Sequence, residues 1–225
     1  MSMVFEERPS DSPFVETITH GWTLGSGSTI RPAECNWHMV LARYAGESHM
    51  LVVGPWTTSG VVSWGAGAEI LWIRFKLGSF MPHLSPQDAL DNEAALPGAS
   101  SRSFWLKGST WQFPDHQNAD TFVDRLAKQD VLVFDPLVTG VLQGHTQPLS
   151  ARSIRHHFLR ATGLTRSHIL QVERAKRAAK LLEQGVPILD AVHAAGYFDQ
   201  PHMTRALKRW VGYTPARISR AESAG

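Results

Sequence analysis

The apolar pattern of this chain changes near residue 118, which divides the chain into two unlike parts. Before that point, short apolar runs rich in β-branched and aromatic residues end at Gly or Pro. Such runs predict strands of an antiparallel sheet or barrel, here at 37–42, 50–53, 60–64 and 70–75. After it, apolar residues recur every three or four positions, which predicts helices. We predict a β-rich sensor or oligomerisation domain over residues 1–115 and an all-α domain over residues 135–225.

Residues 116–134 are predicted to be a bridging helix and linker. Ala119, Phe122, Val123 and Leu126 recur at helical spacing and make an apolar stripe along 119–129. The spacing leaves open whether this stripe packs on its own domain or on another copy of the chain.

Composition excludes several classes of protein. Cys35 is the only cysteine in the 225 residues, so neither an intrachain disulfide nor a cysteine zinc cluster can form. No run of about 18 apolar residues occurs, so we expect no transmembrane helix. The first residues lack an apolar run after a basic stretch, so we expect no signal peptide. These features predict a cytoplasmic protein.

The formal net charge of +2 conceals an asymmetry. Residues 1–134 carry 9 Lys and Arg against 14 Asp and Glu, whereas residues 135–225 carry 13 against 6. A basic half joined to an acidic half indicates a polyanionic partner. A solvated helical surface is the equally simple alternative.

Capping residues divide the second half into short helices around one long helix. Ser150, Thr165 and Asp199 are good N-caps, while Gly163 and Gly185 are good terminators. The predicted helices are 136–143, 151–161, 166–184, a short one after Pro187, one from Asp199 to Trp210, and a last one from Pro215. A short helix, a turn and a second helix with a basic outer face is the form of a major-groove reader. This unit occurs twice, at the two ends of a helix roughly 28 Å long.

Leu149 to Pro215 resembles the DNA-binding domain of the AraC/XylS family of bacterial transcription regulators. The matching marks are LS-x3-I-x3-F-x3-TG at 149–163, R-A-x2-LL within 174–182, I-x6-AGYFDQPHMTRALKRW at 188–210 and GYTP at 212–215. The resemblance implies an α+β fold in which a β-rich, cupin-like N-terminal domain precedes two helix-turn-helix units joined by a long helix. It also implies a sequence-specific DNA-binding regulator that is not an enzyme and needs no cofactor.

The resemblance assigns DNA contacts to the outer faces of the two recognition helices. Arg155 and Arg205 suit guanine and Gln200 suits adenine, because their side chains can form paired hydrogen bonds with those bases. Arg160, Lys208 and Arg209 suit phosphates, which position a protein without reading sequence. Pro201 departs from the pattern because it has no donor, which leaves methyl or shape contact. The complete predicted set is Arg152, Arg155, His156, Arg160, Gln200, His202, Arg205, Lys208 and Arg209, while His157 is expected to face the core.

Promoter duplex DNA is the predicted partner, together with a small-molecule effector of unknown identity. RNA polymerase and a second copy of the chain remain open as further partners. For the first half, the sequence favours plain packing for Cys35 over a sensing role. Arg74 is expected on the solvent face of a strand, with an anionic ligand as the alternative, and Trp22, Trp56, Trp64 and Trp72 are candidates for the barrel core.

A metal-dependent cupin-type enzyme with an accessory helical domain is the alternative function. Catalytic motifs such as HExxH, the G-x-S-x-G elbow and a Gly-rich phosphate loop are missing from the sequence. The only support is a scatter of histidines at 20, 38, 49, 83 and 116. His38 and His49 lie on or beside predicted strands and are the first pair to examine as metal ligands.

Overall fold

The structure is a computed structural model that describes residues 3–145 and 148–222. A β-rich first half is followed by a helical second half, which confirms the predicted fold class. The strands are β1 (Met3–Pro9), β2 (Val15–Thr23), β3 (Gly27–Arg31), β4 (His38–Tyr44), β5 (Glu47–Val53), β6 (Gly60–Trp64), β7 (Glu69–Phe75), β8 (Ser79–Phe80), β9 (Glu93–Ala95), β10 (Gly98–Ser100), β11 (Ser103–Leu106), β12 (Ser109–Gln112) and β13 (Val133–Phe134). The helices are α1 (Pro86–Ala89), α2 (Ala119–Lys128), α3 (Pro136–Leu142), α4 (Ala151–Thr162), α5 (Arg166–Glu183), α6 (Ile188–Ala194), α7 (Gln200–Trp210) and α8 (Pro215–Glu222).

Six antiparallel strands form the main sheet, in the order β1-β2-β7-β4-β5-β9. Ile18 lies opposite Ile73, Ile73 opposite Met39, and Met39 opposite Val52, and all four are buried. Because side chains alternate between the two faces of a strand, this register places one apolar row on the core side of the sheet. The smaller sheets are β10-β11-β12, β13-β8 and β3-β6.

Helix α2 closes the core of the β-rich half. Its Phe122 ring packs edge-on against Phe104 and Trp111 at centroid distances of 6.2 and 6.1 Å. The apolar stripe of α2 therefore packs within its own chain, which resolves the alternative left open by its spacing.

The tryptophans that fill the core differ from those expected. Trp37 and Trp111 are almost fully buried, whereas Trp22 and Trp72 are 46% and 38% exposed. Trp56 and Trp64 are half-buried. Trp72 lies opposite Val40 and Thr19 on the face of the sheet away from the core row, because strand parity decides which side each residue faces.

The capping residues begin and end the helices as predicted. The side chains of Ser150, Thr165 and Asp199 accept hydrogen bonds from the amides of Ser153, His168 and His202, at 3.1, 3.2 and 2.7 Å. Gly163 ends α4 in the left-handed conformation, with φ of 71°. A Cβ on Gly163 would lie 2.9 Å from the Pro86 carbonyl oxygen, so close approach and backbone conformation both favour glycine there.

By its internal contacts the chain divides into two compact units. Unit 1 comprises residues 1–27, 36–55 and 63–163, and unit 2 comprises residues 28–35, 56–62 and 164–225. The sequence-based division at 115 and 135 is a separate prediction, which rests on pattern rather than on contacts. Two short segments of the β-rich half thus belong to the same unit as helices α5 to α8.

Candidate nucleic-acid interface

Helix α4, in unit 1, exposes the basic side chains that the sequence assigns to DNA. Arg152, Arg155, His156 and Arg160 are exposed, while Phe158, Ala161 and Thr162 are buried. Ile154, expected inward, is half-buried. One face of α4 is therefore available to a polyanion and the opposite face packs into the unit.

A buried carboxylate organises the inner edge of α4. Asp135 is 5% exposed and caps α3, where its Oδ1 accepts a hydrogen bond from the Leu137 amide at 3.2 Å. Its Oδ2 accepts hydrogen bonds from His157 Nδ1 at 2.6 Å and Arg160 at 2.9 Å. One carboxylate thus joins the two helices of the first helix-turn-helix unit.

This geometry qualifies two of the sequence-based expectations. The imidazole of His157 bonds inside the chain, as expected of a structural histidine. The Arg160 side chain is 51% exposed but already has an anionic partner. A phosphate at Arg160 would compete with Asp135 or share the guanidinium with it, because the five N–H donors of arginine can serve two acceptors.

Helix α7, in unit 2, presents a second polar face. Gln200, His202, Arg205, Lys208 and Arg209 are exposed, as is Pro201, while Met203, Ala206, Leu207 and Trp210 are buried. The first turn of α7, which follows the Asp199 cap and begins at Gln200, is exposed to solvent. The N-terminal residues of a recognition helix are the ones that contact base edges.

The carbonyl ends of both recognition helices are bonded to donors from the β-rich half of the sequence. In unit 1, the Trp37 indole donates a hydrogen bond to the Ala161 carbonyl at 3.0 Å. In unit 2, the amides of Ala33 and Ser59 donate to the carbonyls of Trp210 and Arg209 at 2.7 and 2.9 Å. These donors satisfy carbonyls that the end of a helix otherwise leaves without partners.

The long helix α5 holds the same β segment through an ion pair within unit 2. Lys176 Nζ lies 3.0 Å from Glu34 Oε1 and 3.6 Å from Glu173 Oε1. Burial alone would lower the pKa of Lys176, but the two carboxylates outweigh it and raise that pKa. Lys176 is therefore a charged structural residue and not a DNA contact.

Of the histidines singled out in the first half, His20 and His116 stack with ring centroids 5.4 Å apart, but His38 and His49 do not meet. His38 and His49 stand four residues apart in register across β4 and β5, which is about 13 Å along the strand. No cluster of three or more His, Cys, Asp or Glu suited to a metal is found among residues 3–145 and 148–222. Cys35 is 1% exposed, and burial raises the pKa of its thiol to about 12.

Sequence reasoning missed three residues of this interface. The carboxylate of Asp135 serves α3 and α4 together, a role that the helical pattern over 136–143 does not indicate. Glu34, which pairs with α5, and Ser59, which bonds α7, lie far from those helices in sequence, and no local pattern relates them. The one local signal for the cap of α3 is that Asp135, an acidic residue, stands directly before Pro136.

Comparison with known proteins supports the helical half alone. Residues 148–221 match a family model described as a helix-turn-helix domain, which covers less than half of the chain. No curated protein matches the chain significantly. No helix in the described part of the chain is long and apolar enough to cross a membrane.

Among solved structures, the chain is similar to ToxT from Vibrio cholerae. A 1.65 Å resolution structure of ToxT gives a TM-score of 0.40 at 10% identity, covering 96% of this chain and 98% of that one. ToxT bound to (E)-4-(8-methylnaphthalen-1-yl)but-3-enoic acid gives 0.41 at the same identity and coverage. These values are too low to carry an argument about fold or ligand.

Proposed function

We propose that this chain, whose residues 148–221 form an AraC-type helix-turn-helix domain, binds promoter DNA through the outer faces of α4 and α7. The domain match makes the chain a DNA-binding transcription regulator. The proposal concerns which residues contact the duplex and what else the protein binds.

One observation carries the proposal: in each helix-turn-helix unit, the second helix is buried along one face and carries exposed cationic or amide side chains along the other. We assign base contacts to Arg155 on α4 and to Arg205 and Gln200 on α7. In the major groove, arginine pairs with guanine and glutamine pairs with adenine through two hydrogen bonds. Arg152, His156, His202, Lys208 and Arg209 add contacts to the backbone or to base edges. Arg160 reaches phosphate while it keeps its bond to Asp135.

We also propose that a small molecule modulates this binding through the β-rich half. That half lines two open hollows of about 310 and 350 Å³, within the lower range of ligand sites. The first is walled by Phe80, Val133 and Arg160, and the second by Trp22, Arg43 and Glu69. The first hollow shares Arg160 with the proposed DNA face, so a ligand there would act on a DNA contact directly.

At the second hollow, Glu69 holds Arg43 and His20 together. Burial alone would raise the pKa of Glu69, but hydrogen bonds from His20 and Arg43 outweigh it and lower that pKa. The carboxylate is therefore ionised at neutral pH and the guanidinium is paired. We also propose RNA polymerase and a second copy of the chain as further partners, and the bacterial cytoplasm as the location of the protein.

The test is footprinting of the full chain on duplexes selected from random and genomic fragments. We expect protection of two major-groove segments about one helical turn, near 34 Å, apart per subunit. Protection of a single segment would remove one of the two helices from the proposal. No enrichment at low salt, with or without cell extract as a source of effector, would contradict the whole proposal.

The salt dependence of binding is the second measurement. The logarithm of the affinity should fall linearly with the logarithm of salt concentration, because bound Lys and Arg release counterions from the duplex. The K208A and R209A variants, which lose proposed phosphate contacts, should have shallower slopes. R102A removes an exposed arginine of the β-rich half and is the matched control, whose slope should equal that of the unchanged protein.

A further inference from the structure

Phe198 is the most exposed large apolar side chain of the described residues. It is 90% exposed and lies between Tyr197, which is 5% exposed, and Asp199, which caps α7. The chain thus places a full aromatic ring in solvent at the entrance to the second recognition helix.

The fold does not use this ring. Phe198 directly precedes the N-cap, where an apolar side chain commonly packs on the fourth residue of the helix. That residue is Met203, which is fully buried while Phe198 remains exposed, so the contact is not made. Tyr197 fills the neighbouring core position instead, with its ring 5.1 Å from His202. Internal packing therefore gives no reason for a phenylalanine at position 198.

The surroundings of Phe198 indicate what would cover it. Gln200, Pro201 and His202 form the exposed first turn of α7, which is the part of a recognition helix that meets base edges. Pro201 adds a second apolar, donor-free surface to that turn. The one apolar group that a base pair presents in the major groove is the C5-methyl group of thymine.

We propose that Phe198, together with Pro201, reads the C5-methyl group of a thymine beside the base contacted by Gln200 or Arg205. This assignment rests on the proposed function, because it requires α7 to lie in the major groove. It gives a reading role to two side chains at the start of α7, Phe198 and Pro201, that carry no hydrogen-bond donor. Specificity at the DNA segment contacted by α7 then combines hydrogen bonds with one methyl contact.

The test removes the methyl group alone. Each thymine of the protected segment is replaced in turn by uracil, which keeps every hydrogen-bonding atom. At one or two positions, the unchanged protein should lose about 3- to 10-fold in affinity, the value of burying a methyl group against an aromatic ring. F198A should be weaker on the thymine site and indifferent to uracil at the same position.

L189A is the matched control, because Leu189 is 64% exposed on α6 of the same unit. This variant should keep the full thymine preference, and the unfolding temperatures of both variants should match that of the unchanged protein. Equal weakening of F198A on thymine and uracil sites would overturn the assignment, as would a thymine preference that persists in F198A or a protected segment without thymine near α7. Those outcomes leave the proposed function intact, whereas failure to bind any duplex would overturn both.

Discussion

Arginines at similar positions on the two recognition helices differ in whether they already have a partner. Arg155 and Arg205 are exposed on α4 and α7, and among the described residues no ion pair engages either side chain. Arg160 lies on the same helix as Arg155 and is bound to Asp135. The three arginines are therefore not equivalent, because only Arg160 is already paired with a carboxylate.

We predict that Arg155→Ala or Arg205→Ala each costs about 1–3 kcal/mol on the specific site and flattens discrimination at one base pair. Binding to a library of single base-pair variants measures both effects. Lys208→Ala is the control, since loss of a phosphate contact weakens all sites alike. Uniform weakening by the arginine variants would assign them to phosphates instead.

Cys35 should be inert in the folded protein. Burial raises the pKa of its thiol to about 12, so the reactive thiolate is scarce at pH 8 and the sulfur is shielded. A chromogenic disulfide reagent should react with the native protein only as fast as the protein opens, and fully in denaturant. Reaction of native protein at the rate of a free thiol would restore a sensing role for Cys35.

At the scale of elements, α5 and α7 are fixed by segments that precede them by more than a hundred residues. Glu34 binds Lys176 on α5, and the amides of Ala33 and Ser59 cap the end of α7. Gly212, two residues after the end of α7, lies against Ile30. A Cβ at position 212 would lie 2.2 Å from Ile30 Cγ2, which is too close for any residue but glycine. The β3–β6 region therefore contributes structural contacts to the second helix-turn-helix unit.

Two carboxylates around Lys176 allow a matched comparison. We predict that Glu34→Gln destabilises the fold by roughly 1–3 kcal/mol, because it leaves a largely buried ammonium without its nearest counter-charge. Glu173→Gln should cost at most a few tenths, since Glu173 is 56% exposed and 3.6 Å away. Denaturant unfolding of both variants gives the two values.

The pH dependence gives a second readout of the same pair. The pKa of Lys176 is raised in the folded chain, so the stabilisation is complete below the ordinary lysine pKa and is lost as pH rises through the folded value. The difference between the unchanged protein and Glu34→Gln should therefore shrink in strongly alkaline solution. A difference that does not change with pH, or equal costs for the two variants, would contradict this account.

At the scale of the molecule, contacts divide the chain differently from sequence pattern. The helices α3 and α4 share a compact unit with most of the strands, and α5 to α8 share one with residues 28–35 and 56–62. The residues proposed to contact DNA are thus divided between two units, and each recognition helix is bonded to donors from the β-rich half of the sequence.

We predict that a fragment of residues 135–225 is less stable than the same residues in the full chain. It lacks Trp37, Ala33 and Ser59, and the carbonyls that they bond at the ends of α4 and α7 must then turn to water. Hydrogen exchange should be faster in the last turn of α7, and around Lys176 on α5, than in the full chain. Equal protection in fragment and full chain would show that the β-derived bonds contribute little.

Local patterns were sufficient to predict helices α2 to α8 and the four strands β4 to β7. Ser150, Thr165 and Asp199 each begin a helix and Gly163 ends one, because caps act within a single turn of the chain. Strands β1 to β3 and β8 to β13 and the short helix α1 were not predicted; Val15–Thr23, for example, mixes polar and apolar residues irregularly. Site residues on the helix faces could be proposed for the same reason that the helices could.

The sequence by itself determined the order of a β-rich half and a helical half, the limits of helices α2 to α8 and the DNA-binding class, because periodicity, capping and motif spacing depend on near neighbours in the chain. Tertiary structure alone decided which tryptophans fill the core, that Asp135 engages Arg160, and that residues 28–35 and 56–62 belong with α7. It also decided that Phe198 is exposed while Tyr197 is buried. These outcomes depend on contacts between residues far apart in sequence, and on the burial of a whole unit, which no local pattern encodes.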